Sequence, residues 1–329
     1  MIVITGGAGF IGSNMLAALE ARGIHDLVVV DHLGCGDKWR NIARRALADV
    51  IVPEQLFAFL DANRSRVWMV IHMGAVSSTT ETDADRILAN NFRLSLLLWG
   101  WCTRNRVRLI YASSAATYGN GSAGFKDDFG SAQALARLRP LNAYGWSKHL
   151  FDRWVRRHLA EGRTGPLQWV GLKFFNVYGP NEYHKGAQAS VVAQIFPAIA
   201  MGEPCRLFRS HHPDYPDGGQ KRDFVFVDDC TDIMLWLIDR PHVNGLFNVG
   251  TGQARTFLDL ALAVYRAVER PPHIQFIDTP LLIRDKYQYF TQADMRRLRA
   301  AGYDKPFTVL EEGVARYVTG YLAAGDHYR

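Results

Sequence analysis

The chain opens Met1-Ile2-Val3-Ile4-Thr5-Gly6-Gly7-Ala8-Gly9-Phe10-Ile11-Gly12. A short β-branched run leads straight into glycines at 6, 9 and 12, and a helical pattern follows. Each glycine meets a separate need. Gly6 lets the chain turn sharply off a strand, Gly9 lets a pyrophosphate approach the backbone, and Gly12 lets the new helix pack close to a sheet. The start of that helix then presents free N–H groups to an anion. About 20 residues further on, Leu27-Val28-Val29-Val30-Asp31 reads as a second strand ending in a carboxylate, placed to hold an adenosine ribose. A glycine-rich turn alone is weak support. Strand, glycine triplet, helix, strand and Asp31 in that order predict a dinucleotide site.

A chain of 329 residues with 48% hydrophobic and 21% charged residues has the make-up of a globular protein large enough for two lobes. No apolar run reaches the roughly 18 residues that span a bilayer. The first strand begins at Met1 or Ile2, so no signal peptide is expected. Cys35, Cys102, Cys205 and Cys230 form no C-x-x-C pair, which argues against a zinc site or disulfide framework. These features predict a cytoplasmic protein with free thiols and no membrane segment. The net charge is +6. Lys38, Arg40, Arg44 and Arg45 cluster after Asp31, where the adenosine end of a dinucleotide would lie. Lys38 could meet a 2′-phosphate, and the three arginines fit a solvated basic face. No interleaved aromatics or recognition motif accompany them, so nucleic acid is not an expected partner.

Candidate strands are Ile2–Thr5, Leu27–Asp31, Val67–Met73, Arg108–Ala112 and Trp169–Phe175. Helical spacing covers Asn14–Arg22, Asp83–Arg104 and Tyr144–Leu159. This alternation predicts an α/β fold: a Rossmann-type, doubly wound parallel sheet with helices on both faces. After Phe175 the texture changes. Residues 176–222 are rich in Gly, Pro, His, Tyr and Asn, with one helix near Ser190–Met201 and a polar loop at Ser210–Gln220. Strand character returns at Asp223–Asp228, followed by a helix at Cys230–Ile238 and a short strand at Phe247–Gly250. The remainder reads as helices with a strand near Ile274–Ile277. The expected division is a dinucleotide-binding domain of residues 1–175 plus 223–252, and a smaller, discontinuous α/β substrate-binding lobe of residues 176–222 plus 253–329.

Ser114, Tyr144 and Lys148 carry the candidate chemistry. Ser114 follows a predicted strand, at the carboxyl edge where such sheets bind ligands. Tyr144 and Lys148 are four residues apart at the start of a helix and share a face. A tyrosine titrates near 10 and is a poor base at neutral pH. A nearby ammonium and a nicotinamide cation both favour phenolate, and lowering the pKa by about three units needs roughly 4 kcal/mol. Tyr144 could then take a proton from a hydroxyl while Ser114 holds the substrate oxygen. An amphipathic helix with a buried Tyr and a surface Lys is the bland alternative, and the dinucleotide signature weighs against it.

With these residues the chain resembles the extended short-chain dehydrogenases/reductases. Family members that dehydrate nucleotide sugars carry Asp-Glu where Ala115-Ala116 stand, and two methyl groups cannot transfer protons. Phe174-Phe175-Asn176-Val177-Tyr178-Gly179-Pro180-Asn181-Glu182-Tyr183-His184-Lys185-Gly186 resembles the signature of the ADP-L-glycero-D-manno-heptose 6-epimerases. So do Ala189-Ser190-Val191, Phe290-Thr291-Gln292-Ala293-Asp294 and Leu298–Phe307. The likeness runs from residue 1 to about residue 320.

That resemblance implies an isomerase for lipopolysaccharide inner-core precursors. It would epimerise C6 of ADP-D-glycero-D-manno-heptose through transient oxidation to a 6-ketone with bound NADP. Tyr144 matches the family's first acid/base and Lys185 the second; a lysine acts as base only if desolvation or neighbouring cations lower its pKa. Matched positions imply a cofactor shell of Gly6, Gly9, Phe10, Ile11, Gly12, Asp31, His32, Lys38, Gly74, Ala75, Val76, Ser77, Asn90, Lys148 and Val177. They imply a substrate shell of Ser114, Asn176, Lys185, Phe208, Arg222 and Tyr287. Arg222 suits a diphosphate because its guanidinium fork pairs two oxygens. The family also implies a homo-oligomer, a pentamer.

The chain departs from the family pattern in places. Met73 stands where an acid is common, Ala187 replaces a serine, and a lysine often found near position 53 is absent. Lys38 alone then remains for a 2′-phosphate, and Asp31 itself favours an unphosphorylated ribose, so NAD stays open beside NADP. His211 and His212, without further ligands, read as part of a solvated loop, and no metal is expected. Two other functions stay open: a UDP-hexose 4-epimerase, which gives Lys185 no role, and a non-catalytic dinucleotide-binding protein.

Overall fold

A computed structural model describes residues 1–284 and 288–329. In chain order the strands are β1 (Ile2–Thr5), β2 (Leu27–Val30), β3 (Asp49–Ile51), β4 (Met69–His72), β5 (Arg108–Ser114), β6 (Trp169–Phe174), β7 (Asn176–Tyr178), β8 (Cys205–Phe208), β9 (Lys221–Phe226), β10 (Gly245–Val249), β11 (Ala254–Thr256) and β12 (Ile274–Ile277). Seven of them form one sheet in the order β10-β6-β5-β4-β1-β2-β3, and every neighbouring pair is parallel. This is the doubly wound sheet that the alternating pattern predicts.

Side-chain alternation along these strands builds two cores. Ile2, Ile4, Leu27, Val29, Met69 and Ile71 face one side, against Met15, Leu16 and Leu19 of helix α1 (Phe10–Ala21) and the helix Val227–Ile238. Val3, Val28, Val30, Val70 and Leu109 face the other, against Leu98, Trp99, Phe151 and Val155. Both faces are covered, so the strands read as unbroken apolar runs rather than as half-polar ones.

The small lobe has its own core, in which Tyr178, Val192, Ile195, Leu207, Phe224, Phe226, Leu260, Val264, Val314 and Tyr317 pack together. It carries a three-stranded sheet, β11-β9-β7, and the pair β12-β8. Of the segment 223–252, β10 joins the main sheet while β9 lies in the small one. β9 also starts earlier than the apolar run suggests, at Lys221, and Val227 and Asp228 already belong to the following helix. The Asp223 carboxylate fastens this strand to the end of β10: it accepts the N–H groups of Thr251 (2.7 Å), Gly252 (2.9 Å) and Ala293 (2.9 Å).

The strand order reverses between β1 and β4, and that switch point opens a crevice at the carboxyl ends of the strands. The helix expected over Asp83–Arg104 is interrupted by a π-helical stretch at Leu88–Arg93, a departure often found at functional sites. Among the described residues no helix is long and apolar enough to cross a membrane.

Candidate active site

The glycine turn sits at the switch point. Gly6 has φ +65°, and a Cβ there would come within 2.6 Å of the Gly74 Cα. A Cβ on Gly12 would lie 2.2 Å from the Gly6 carbonyl oxygen, and one on Gly9 would lie 3.1 Å from it. Gly9 caps α1 with no side-chain hydrogen bond. The turn is thus a cradle free of side chains, at a helix start whose N–H groups are free for an anion. It fits the diphosphate of a dinucleotide.

Asp31 follows β2 and lies against this cradle. One carboxylate oxygen accepts the Ala8 N–H (3.0 Å) and the other the Lys38 ammonium (2.5 Å). Lys38 donates again to the His32 carbonyl (3.0 Å). The two residues that sequence assigns to opposite ribose chemistries are therefore partners. The exposed His32 ring pairs with Glu54.

On the far side of the turn, the loop Gly74, Ala75, Val76, Ser77 follows β4. The Gly74 N–H donates to the Thr5 hydroxyl (3.2 Å), and that hydroxyl is 2.6 Å from Nδ1 of the buried His72. Asn91 holds both backbone groups of Val76 and donates to the Ser147 hydroxyl (3.0 Å), tying this loop to the helix of Tyr144. Asn90, the residue expected in the cofactor shell, is exposed and donates to Arg86 of its own helix. Sequence reading missed Asn91 and His72; the tandem Asn90-Asn91 was the available signal.

Ser114 ends β5, and Asn142 caps the helix Ala143–Ala160 through the Gly145 N–H (2.8 Å). Tyr144 thus stands in the first turn and Lys148 one turn later. The Tyr144 phenol is hydrogen-bonded to Ser114. Burial raises its pKa and the Ser114 bond opposes the rise. In the protein alone burial therefore keeps the phenol protonated, and forming phenolate needs added positive charge beside it. Lys148 is buried, donates to the Ala112 carbonyl (2.8 Å), and is pushed down to about 8 by burial against the pull of Asp152.

Behind this group lies a polar network absent from the sequence reading. Lys173 and Asp152 pair at 2.8 Å with both side chains fully buried. The Ser113 hydroxyl donates to Asp152 (2.8 Å), and the Lys173 ammonium to the Thr117 hydroxyl (2.6 Å), which donates in turn to the Ser114 carbonyl (2.8 Å). The network joins the end of β5 to the helix that carries Tyr144 and Lys148.

Lys185 comes from the small lobe, on the turn Tyr183–Gln188, and faces the start of α1 beside the glycine cradle. Its ammonium lies 5.3 Å from the Phe10 ring centroid, at the first turn of α1. Burial lowers its pKa, with Glu182 opposing. Glu182 is itself buried and accepts the N–H (2.5 Å) and hydroxyl (2.6 Å) of Ser190. Ile11 packs against the cores of both lobes. Asn176 is exposed on β7 beside Val177, and Phe208 ends β8. Arg222 on β9 is 8% exposed and its guanidinium stacks over Phe257 at 5.4 Å. Tyr287 lies outside the described residues. His211 and His212 stand in an exposed loop, and no group of three or more metal-ligating side chains occurs among the described residues.

Residues 2–250 match the NAD dependent epimerase/dehydratase family. The chain is 51% identical to a protein of Nitratidesulfovibrio vulgaris (strain DP4) named ADP-L-glycero-D-manno-heptose-6-epimerase, and the match covers 100% of both chains. Among solved structures it is similar to the Helicobacter pylori ADP-L-glycero-D-manno-heptose-6-epimerase (26% identity, TM-score 0.78, covering 97% of this chain and 95% of that one). It is also similar to a Thermus thermophilus UDP-glucose 4-epimerase in complex with NAD (27% identity, TM-score 0.76, 97% of each chain).

Proposed function

Since this chain belongs to the NAD dependent epimerase/dehydratase family, we propose that it inverts C6 of a nucleotide-activated heptose, turning ADP-D-glycero-D-manno-heptose into its L-glycero epimer for lipopolysaccharide inner-core synthesis. The observation that carries this reading is Lys185. A second proton-handling group, desolvated and set over Phe10, complements the Ser114–Tyr144–Lys148 group, as inversion through a ketone requires. The full-length relative named for this activity supports it. Ala115 and Ala116 offer no acid for elimination.

Gly6, Gly9, Gly12, Phe10 and Ile11 would hold the diphosphate end of a nicotinamide dinucleotide, and Asp31, His32 and Lys38 the adenosine ribose. Gly74–Ser77, Asn90, Lys148 and Val177 complete that shell. When bound, the dinucleotide supplies reversible two-electron oxidation of the sugar carbon. Tyr144 takes the proton of the C6 hydroxyl at its phenol oxygen, and Ser114 orients that oxygen. Lys148 holds positive charge beneath the phenol. Lys185 handles the proton on the opposite face of the turned ketone. Asn176, Phe208, Arg222 and Tyr287 hold the sugar nucleotide, with the Arg222 fork on the diphosphate. NADP is the proposed form of the cofactor, on the Lys38 ammonium; NAD is the competing one, on the Asp31 carboxylate. The protein works in the cytoplasm as a homo-pentamer of two-lobed subunits, with residues 1–175 plus 223–252 as the dinucleotide domain; the family resemblance supports the pentamer.

Incubation with ADP-D-glycero-D-manno-heptose and, separately, with UDP-galactose, followed by NMR, tests the reading. Turnover of UDP-galactose alone contradicts it. The dinucleotide released on denaturation identifies the cofactor, and native mass spectrometry counts the subunits.

A further inference from the structure

We propose that residues Asp326–Arg329 form a strap that positions the Lys185 turn against the dinucleotide lobe, with Arg329 as the positioning residue. The proposal rests on the proton-handling role of Lys185 given above.

The segment that leads to Lys185 is laid on α1. Asn14 donates to the Pro180 carbonyl (2.9 Å), and Asn181 donates to the Ser13 hydroxyl (3.1 Å). Asn41, which also holds the Ala8 carbonyl of the glycine turn (2.8 Å), is 3.1 Å from Nδ1 of His184. Asn181 is fully buried with φ +70°. Asparagine takes this left-handed conformation more readily than other non-glycine residues, and the contacts of the Asn181 side chain determine where the segment sits.

The strap supplies part of that determination. The Arg329 N–H donates to the Asn181 side-chain oxygen (2.9 Å). The Arg329 guanidinium bridges Asn14 on α1 (2.9 Å) and Asp228 at the start of the helix Val227–Ile238 (2.5 Å). One residue beyond Glu182, the Tyr183 hydroxyl donates to the His327 carbonyl (2.8 Å), and its ring meets Tyr328 edge-on at 5.4 Å. At the other end, Arg44 donates to the Tyr328 carbonyl (2.8 Å). The strap therefore touches both walls of the seam: the stretch after Asp31 on one side and the Asn181–Tyr183 stretch on the other. Lys185 is two residues beyond Tyr183. A lysine that handles a proton has to be held at a fixed distance and kept from water, and a turn with few core contacts of its own does neither unaided.

The test compares the full chain with one ending at Gly325 and with Arg329→Gln. Hydrogen exchange at 179–188 is expected to accelerate several-fold in both variants while the strands of the main sheet keep their protection. Turnover is expected to fall by roughly ten-fold or more. In a Lys185→Ala background the truncation is expected to cost nothing further. Unchanged exchange at 179–188 overturns the strap. An equal loss of turnover in both backgrounds overturns its action through Lys185. If Lys185→Ala alone leaves turnover intact, the function assigned to Lys185 fails, and the exchange result still decides the strap.

Discussion

The Lys185 ammonium stands 5.3 Å from the centroid of the Phe10 ring, so a side chain of the small lobe faces the first turn of the helix behind the glycine cradle. A solvent-facing lysine would be an ordinary cation. This one is partly desolvated, and burial lowers its pKa. Lys185→Ala removes a contact of this type at a cost of about 0.5–1 kcal/mol in stability. Epimerisation is expected to fall by about 10²- to 10⁴-fold. The amount of dinucleotide released on denaturation should stay that of the parent protein. An NMR time course and coenzyme absorbance measure the two effects separately, and undiminished turnover removes Lys185 from the mechanism.

Tyr144→Phe deletes the phenol oxygen and leaves the ring in place. Turnover is expected to drop by roughly a hundred-fold or more, with circular dichroism unchanged. Ser114→Ala should cost less, because it removes a partner of the phenol rather than the acid/base itself. A Tyr144→Phe protein that retains full activity excludes the phenol from proton transfer.

The Lys173–Asp152 pair is fully buried. Lys173→Met leaves an uncompensated carboxylate in the interior and is expected to destabilise by about 3–5 kcal/mol. Lys173→Met combined with Asp152→Leu should recover much of that loss, because neither charge then remains. Urea unfolding of the two variants decides the matter: a double variant no more stable than the single one means that the pair does not account for the cost.

His72 is neutral in the folded protein, its pKa lowered from 6.5 to about 3 by burial and by Lys148. Between those limits the unfolded chain binds a proton that the folded chain refuses. Stability is therefore lost as pH falls from 6.5 toward 3, at up to about 1.4 kcal/mol per pH unit from this group. His72→Gln keeps a polar partner for Thr5 and Ser95 without the titration. The stability gap between parent and variant should change across this window; a constant gap from pH 7 to pH 4 refutes the assignment.

A methyl group on Gly12 would sit 2.2 Å from the Gly6 carbonyl oxygen, whereas one on Gly100 would meet only the end of the flexible Arg104 side chain, at 3.3 Å. Gly12→Ala is expected to abolish dinucleotide binding. Gly100→Ala, within a helix, should raise stability by about 0.5–1 kcal/mol. Fluorescence titration with NADP and NAD, together with thermal melts, checks both.

Much of the main sheet was legible because its strands are buried on both faces and so form apolar runs. Ile2–Thr5 matches the expected bounds, as does Ile274–Ile277 in the small lobe's β12-β8 pair, although that strand is only partly buried. The short strands β3, β7, β8 and β11 were not foreseen. Asp49–Ile51 has two exposed residues of three, and Ala254–Thr256 is half-buried throughout, so neither shows a periodic signal. The placement of Ser114, Tyr144 and Lys148 in one cluster followed from strand end and helix spacing. Asn91 escaped notice because nothing local separates it from Asn90; only a neighbouring helix makes one buried and the other exposed.

Local geometry settles the glycine turn and the helix face shared by Tyr144 and Lys148, since both depend on neighbours within a few residues along the chain. Long-range packing settles the rest. It brings Lys185 over Phe10, joins Lys38 to Asp31, buries Lys173 against Asp152 and lays Arg329 across Asn14 and Asp228. Whether an ammonium lies in water or in the interior is a property of what folds around it, and no spacing in a linear chain encodes the desolvation that lowers the pKa values of Lys148 and Lys185.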